Sequence, residues 1–62
     1  MITEDIAKRQ SHALVIALVG EDLADDWWNT RNRAFDMRTP AGMWMEDYTK
    51  VYDYLMHHAF GE

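Results

Sequence analysis

The sequence predicts an all-α fold, a small compact bundle of about four helices that forms a single domain over residues 1–62. Apolar residues recur at helical spacing along most of the chain, and residues that start or stop helices stand at the ends of these stretches. The chain has no cysteine, so disulfides and thiolate metal sites are excluded. A chain this short buries only roughly 60% of its unfolded surface, so aromatic packing or oligomerisation must add stability.

The first helix is predicted over residues 3–19. Thr3 can cap it and Gly20 can end it. Residues 13–19 are apolar on almost every side, so either the rest of the chain or a second molecule must cover them. A strand over residues 13–19 is the alternative, since three of these seven residues are β-branched.

A second, short helix is predicted from Glu21 to Asn29. Its acidic start suits a helix N-terminus, and the pairs Leu23 with Trp27 and Ala24 with Trp28 stand at i,i+4 spacing. Adjacent side chains on a helix diverge by about 100°, so the two tryptophans cannot point the same way. We expect one of them to anchor the core and the other to flank it.

An irregular connection is predicted over residues 29–38, with Ala34 and Phe35 turned inward. Thr39 and Pro40 then form a strong helix start, because threonine can accept from a free amide and proline has no amide to leave unpaired.

The last part of the chain is predicted to form two further helices. The third runs from Pro40 to about Met45, and the fourth covers about residues 48–59, after the acidic pair Glu46 and Asp47. Gly61 should end it.

Charge and hydropathy exclude several classes of partner. The formal net charge of −5 disfavours nucleic acid, whose phosphates are bound by lysine and arginine. The longest apolar run, residues 13–19, is far short of the about 20 residues that span a bilayer. The chain does not open on a secretion signal. We therefore expect a cytoplasmic protein with no membrane partner.

No catalytic or metal-binding set is evident, so we expect neither an enzyme nor a bound cofactor or metal. His57 and His58 are neighbours that project differently from one helix, and His12 lies in another helix without acidic residues at ligand spacing. Ser11 next to His12 has the wrong spacing for a nucleophile and its base. The acidic residues at 21–26 are typical of a solvated helix start.

Three arginines, Arg31, Arg33 and Arg38, crowd the predicted connection. They could pair with the acidic residues at 21–26 or stack on a tryptophan, and so hold the connection in place. Alternatively, they could form the polar rim of a protein-binding surface around an exposed aromatic ring. A phosphate-binding patch is disfavoured by the surrounding carboxylates.

The order of residues over about 13–61 resembles the toxin-binding domain of the Xre/MbcA/ParS family of bacterial antitoxins. The matching positions are Trp27-Trp28, Asn29-Thr30, Asn32, Ala34-Phe35, Thr39-Pro40 and the final Ala59-Phe60-Gly61. The sequence departs from the family at three places: Arg31 replaces a proline, Asp36-Met37 replaces a glycine-rich step, and Gly42 replaces the glutamate of a capping box, which should weaken the helix start.

The resemblance implies a module that neutralises a RES-domain toxin, an enzyme class that consumes NAD or transfers ADP-ribose from it. Many family members carry a DNA-binding domain ahead of the toxin-binding domain. The resemblance here begins at about residue 13 and leaves no room for such a domain, so we expect a stand-alone version, of bacterial or phage origin. By this resemblance, the residues that cover the toxin's active site would be His57, His58, Phe60, Gly61 and Glu62. Arg31 and Arg33 would assist, and Glu62 could occupy a cationic cleft as an anion.

Two other functions fit the same residues. The chain could be a homodimeric or larger structural or regulatory protein, paired through residues 13–19 and one tryptophan. It could also be an acidic decoy that imitates nucleic acid.

Overall fold

Three helices build the domain, in a computed structural model that describes residues 3–61. Helix α1 spans Glu4–Val19, α2 spans Glu21–Asn29 and α3 spans Pro40–Phe60. A short 3-10 turn, Arg33–Phe35, lies in the connection between α2 and α3. The all-α prediction is confirmed, with no strand in the described part of the chain, and the strand alternative for the end of α1 is wrong.

The predicted count of four helices is wrong, because the third and fourth predicted helices form one helix, α3. The predicted boundary coincides with a kink, since Asp47 has φ −160° and ψ 92° within α3. The carboxylate of Asp47 accepts hydrogen bonds from the Thr49 amide at 3.2 Å and from the Thr49 hydroxyl at 2.6 Å, as an N-cap residue does. The helical backbone resumes at the next residue, so the local start signal produces a kink instead of a separate helix.

Local capping fixes both ends of α1 as the sequence predicts. The Thr3 hydroxyl accepts from the Ile6 amide at 3.3 Å. Gly20, at φ 93°, ends the helix and donates its amide to the Ile16 carbonyl at 2.8 Å. Because Gly20 also precedes the first residue of α2, a single residue with positive φ turns the chain from one helix into the next.

The start of α3 is capped by Thr39, whose hydroxyl accepts from the Gly42 amide at 3.0 Å, with Pro40 as the first helical residue. A Cβ atom at position 42 would lie 3.1 Å from that hydroxyl oxygen. Glycine at position 42 therefore cannot supply the side-chain hydrogen bond of a full capping box, but the hydrogen bond from the Gly42 amide to Thr39 is kept.

The core lies where α1 packs against both α2 and α3, and α2 in turn contacts α3. One stripe of α1, Ala7, Ser11 and Val15, is fully buried at i,i+4 spacing. Val51 and Leu55 of α3 are also fully buried. The apolar second half of α1 is only partly covered, because Leu18 keeps 47% of its surface exposed. No helix within residues 3–61 has the length and apolar character needed to cross a membrane.

Candidate protein-binding surface

Four aromatic rings form the centre of the domain, and we call Trp27, Trp28, Phe35 and Trp44 the tryptophan junction. Trp28 meets Trp44 with ring centroids 5.7 Å apart and Trp27 at 5.1 Å, both edge to face. Trp27 meets Phe35 at 6.3 Å in the same manner. Trp28 is 6% exposed whereas Trp27 is half-buried, which confirms that one tryptophan anchors the core and the other flanks it.

Two indole nitrogens of the tryptophan junction are paired with side chains of α1. Trp28 Nε1 donates to His12 Nδ1 at 3.0 Å, and Trp44 Nε1 donates to Glu4 Oε2 at 3.1 Å. A histidine that accepts at Nδ1 must have that nitrogen unprotonated. His12 is therefore a structural acceptor that orients Trp28, and no metal ligation is needed to explain it.

The cation over the tryptophans is Lys8 of α1. Its ammonium lies 4.8 Å from the Trp28 ring centroid and 5.2 Å from that of Trp44, within range of a cation–π interaction. The alternative in which an arginine of the connection stacks on a tryptophan is not observed, since the cation–π interactions within residues 3–61 are those of Lys8. Lys8 lies on the face of α1 that packs over both rings. This contact could not be predicted from the sequence, because Lys8 and the two tryptophans are far apart along the chain.

The connection between α2 and α3 is a closed turn that inserts Phe35. Asn32 accepts from the Ala34 amide through its side chain at 2.9 Å and pairs its backbone with Arg38 across the turn. Asp36 and Met37 both have positive φ, 60° and 66°. This left-handed region is the one that glycine adopts most easily, and it lies at the positions where the resembling family carries glycine.

The three arginines of the connection have different environments. Arg38 forms an ion pair with Glu46 of α3, and its hydrogen bond and charge lower the pKa of that carboxyl. The alternative in which the arginines pair with residues 21–26 is therefore wrong for Arg38. Arg31 and Arg33 are exposed, and neither forms an ion pair with another residue in the range 3–61.

The end of α3 presents a stripe that we call the terminal surface: Asp53, Met56, His57 and Phe60, of which Met56 is half-buried and the others are exposed. These residues line one shallow depression and stand at i, i+3, i+4 and i+7, so they share one face of the helix. Phe60 is 71% exposed, which is unusual for an aromatic side chain. No other ring lies within stacking range of it in the described residues. Gly61, at φ 79°, ends α3 by donating its amide to the His57 carbonyl at 3.0 Å.

A second groove adjoins the terminal surface and shares Asp53 and His57 with it. Its other walls come from the connection and from α3; they include Ala34, Phe35, Asp36, Met43, Lys50, Tyr54 and His58. Tyr54 packs against Phe35 at 5.1 Å and against His58 at 4.5 Å between ring centroids. The tryptophan junction is thereby connected through Tyr54 to the exposed end of α3.

The structure brings some of the predicted partner-binding residues together and separates others. His57, His58 and Phe60 lie on the exposed end of α3, as the prediction requires. Arg31 instead lines a groove on α2, away from the residues that line the terminal surface. Glu62 lies outside the described residues.

Sequence reasoning missed Asp53 and Met56 as members of the terminal surface. The available signal was the i,i+3,i+4,i+7 spacing of Asp53, Met56, His57 and Phe60, which places them on one face of the helix. Phe60 follows the last fully buried residue, Leu55, by more than one helical turn, and the shorter neighbouring elements do not extend far enough to cover it.

Comparison with known proteins found no match for this chain: no family model, no curated protein and no solved structure is similar to it.

Proposed function

We propose that this protein is an antitoxin-like binding module that docks a partner protein through the terminal surface. The observation that carries the proposal is Phe60, an aromatic ring 71% exposed at the end of a capped helix. Buried aromatic side chains are the commonest anchors of protein interfaces, and the groove beside Phe60 offers polar and charged rim residues.

Rigidity of the terminal surface favours a docking role. Val51 and Leu55 hold the same stretch of α3 in the core, and the Tyr54 ring packs against both Phe35 and His58. A side chain on an ordered helix loses less conformational freedom on binding than one on a mobile tail. Phe60 is thus presented to a partner at low entropic cost.

The proposed partner is a RES-domain toxin, whose active site the end of α3 would cover in the cytoplasm. Support comes from the resemblance together with the left-handed backbone at Asp36 and Met37, where the resembling antitoxins carry glycine. Thr39 and Pro40 open a helix and Gly61 ends it, in the order that the resemblance implies. A cleft that binds the pyrophosphate of NAD should be cationic, so an acidic module of net charge −5 is electrostatically suited to it.

The test is co-expression with a RES-domain toxin encoded beside this protein, with cell growth and co-purification as readouts. We expect the wild-type chain to restore growth and Phe60→Ser to fail. Met45→Ser is the matched control, because Met45 is 87% exposed on α3 and is not part of the terminal surface. Equal rescue by both variants, or no complex with the wild-type chain, would contradict the proposal.

A shortened chain without Glu62 separates two parts of the proposal. If the Glu62 side-chain carboxylate occupies the toxin's cleft, removal of Glu62 should weaken inhibition while co-purification persists. Unchanged inhibition would exclude the role of Glu62 and leave docking through Phe60 intact.

A further inference from the structure

A further groove, which we call the α2 groove, lies apart from the terminal surface and from the groove that adjoins it. Its lining residues come from the end of α1, from α2 and from the start of the connection: Val19, Leu23, Asp26, Trp27, Thr30, Arg31 and Asn32. It shares no lining residue with the terminal surface or the groove adjoining it.

The floor of the α2 groove is apolar and firmly held. Leu23 is 54% exposed and stands one helical turn before Trp27, which is half-buried. Trp27 is fixed by edge-to-face contacts with Trp28 at 5.1 Å and Phe35 at 6.3 Å. A leucine this exposed beside an ordered indole is a surface that a partner's apolar side chain can cover.

The rim of the α2 groove is acidic along the helix. Glu21, Asp22, Asp25 and Asp26 are all exposed, and none forms an ion pair with another residue in the part of the chain that the structure describes. Of these four carboxylates, Asp26 lines the groove, and Asp22, one helical turn earlier, lies on the same side of α2 just outside the lining. The single cation of the groove lining, Arg31, stands past the C-terminal end of α2.

We propose that the α2 groove binds a basic peptide segment of a partner protein, with an apolar side chain over Leu23 and Trp27 and a lysine or arginine beside Asp22 and Asp26. Charge complementarity selects this occupant. A second copy of the chain would bring two acidic α2 helices together, in molecules that each carry a net charge of −5, and these would repel. Nucleic acid is disfavoured for the same reason.

The segment has a defined direction in the groove. Its cation lies toward the acidic N-terminal part of α2, and an acidic or neutral residue lies toward Arg31. Since Phe60 plays no part, this surface is independent of the proposed function, and a protein that uses both surfaces could bridge two partners.

The probe is a synthetic helical peptide with leucines on one face and lysines around them, titrated into the full chain and followed by NMR chemical shifts. We expect shifts centred on Leu23 and the Trp27 indole. Leu23→Ser should weaken binding by about tenfold, as expected for loss of an interface anchor. Leu18→Ser is the matched control, because Leu18 is 47% exposed but does not line the groove, and it should leave the affinity unchanged.

Charge variants test the same site without touching its apolar floor. Asp22→Asn with Asp26→Asn should weaken the lysine peptide several-fold, and Arg31→Gln should strengthen it, since a repelling cation is removed. The matched control, Glu21→Gln with Asp25→Asn, changes net charge equally at carboxylates on the side of α2 opposite Leu23, where Asp25 lines a different depression. Equal weakening by both double variants would show unspecific attraction and overturn the proposal.

Three further results would also overturn it. These are peptide shifts centred on Phe60 instead of Leu23, unchanged affinity in Leu23→Ser, and a wild-type dimer in light scattering that Leu23→Ser dissociates. A circular-dichroism melt of each variant shows whether it is folded. If Leu23→Ser does not fold, the charge variants still decide the test.

Discussion

The tryptophan junction and the terminal surface contain similar side chains in opposite environments. Trp28 is 6% exposed, and its ring is covered by two other rings, a histidine acceptor and the Lys8 ammonium. Phe60 is 71% exposed. The difference teaches that aromatic content alone does not mark a binding surface, because most of it here builds the core of a very short chain.

The kink at Asp47 separates these two regions within α3. Trp44, on the N-terminal side, belongs to the tryptophan junction, and Phe60, on the C-terminal side, belongs to the terminal surface. The N-terminal half of α3, which we call the anchoring half, helps to build the tryptophan junction. The C-terminal half, which we call the presenting half, is held in the core by Val51 and Leu55 and exposes Phe60 at its end. The predictions below test that division, from the largest expected effect to the smallest.

Trp28→Ala should break the tryptophan junction. It removes a buried ring that contacts Trp27 and Trp44, which costs about 3–5 kcal/mol of unfolding free energy. That loss is comparable with the whole stability of so small a domain, on the order of 5 kcal/mol. Urea unfolding followed by circular dichroism measures it, with Phe60→Ala as the paired variant, which should change stability by less than about 0.5 kcal/mol.

Nearly equal losses for Trp28→Ala and Phe60→Ala would contradict the division. They would mean that the ring of Phe60 is buried in solution.

Ser11→Ala should stabilise the core beside the tryptophan junction. The Ser11 hydroxyl is fully buried and has no hydrogen-bond partner among residues 3–61, so the exchange of this hydroxyl for a hydrogen removes an unpaired polar atom. We expect a gain of about 1 kcal/mol in unfolding free energy. Ala17→Ser, the reverse exchange at an exposed position of α1, controls for helix propensity. A net loss of stability in Ser11→Ala would show that the hydroxyl is paired.

Lys8→Gln should weaken the outer edge of the tryptophan junction. The ammonium of Lys8 interacts with two indole rings, each exposed contact being worth about 0.5–1 kcal/mol. Urea unfolding should show a loss within this range. Lys50→Gln on α3 removes a lysine that makes no cation–π interaction among the described residues, so its effect should be smaller. Equal effects would assign the change to net charge.

Asp47→Ala should loosen the presenting half of α3 more than the anchoring half. Amide hydrogen exchange should speed up over residues 49–60 and change little over 40–45, because the hydrogen bonds from Thr49 to Asp47 are lost. These bonds lower the pKa of Asp47 below its ordinary 3.8. The stabilisation of α3 by these hydrogen bonds is therefore fully present above pH 3.8, and it disappears as the pH falls through the lowered pKa of Asp47.

The difference in exchange between wild type and Asp47→Ala should accordingly shrink in strong acid. A difference that stays constant across this pH range would show that the carboxylate does not cap the helix.

Parts of the candidate site were readable from the sequence and parts were not. His57, His58 and Phe60 were named as candidate partner-binding residues through the resemblance, at the end of the predicted last helix. Helical spacing places His57 and Phe60 on one face with Met56, but whether that face is exposed depends on where α1 and α2 stop covering α3, which no local pattern reports. The α2 groove was missed because Leu23 was interpreted only through its i,i+4 relation to Trp27.

The sequence by itself determined the features that depend on neighbouring residues: the helical state, the caps at Thr3 and Thr39, and the glycine ends at Gly20 and Gly61. Hydrogen bonds between a side chain and an amide three residues away require nothing from the rest of the chain. Only the tertiary structure decided which faces of α3 are covered, and which cation lies over the tryptophans. Both outcomes depend on which helical faces meet across long sequence separations.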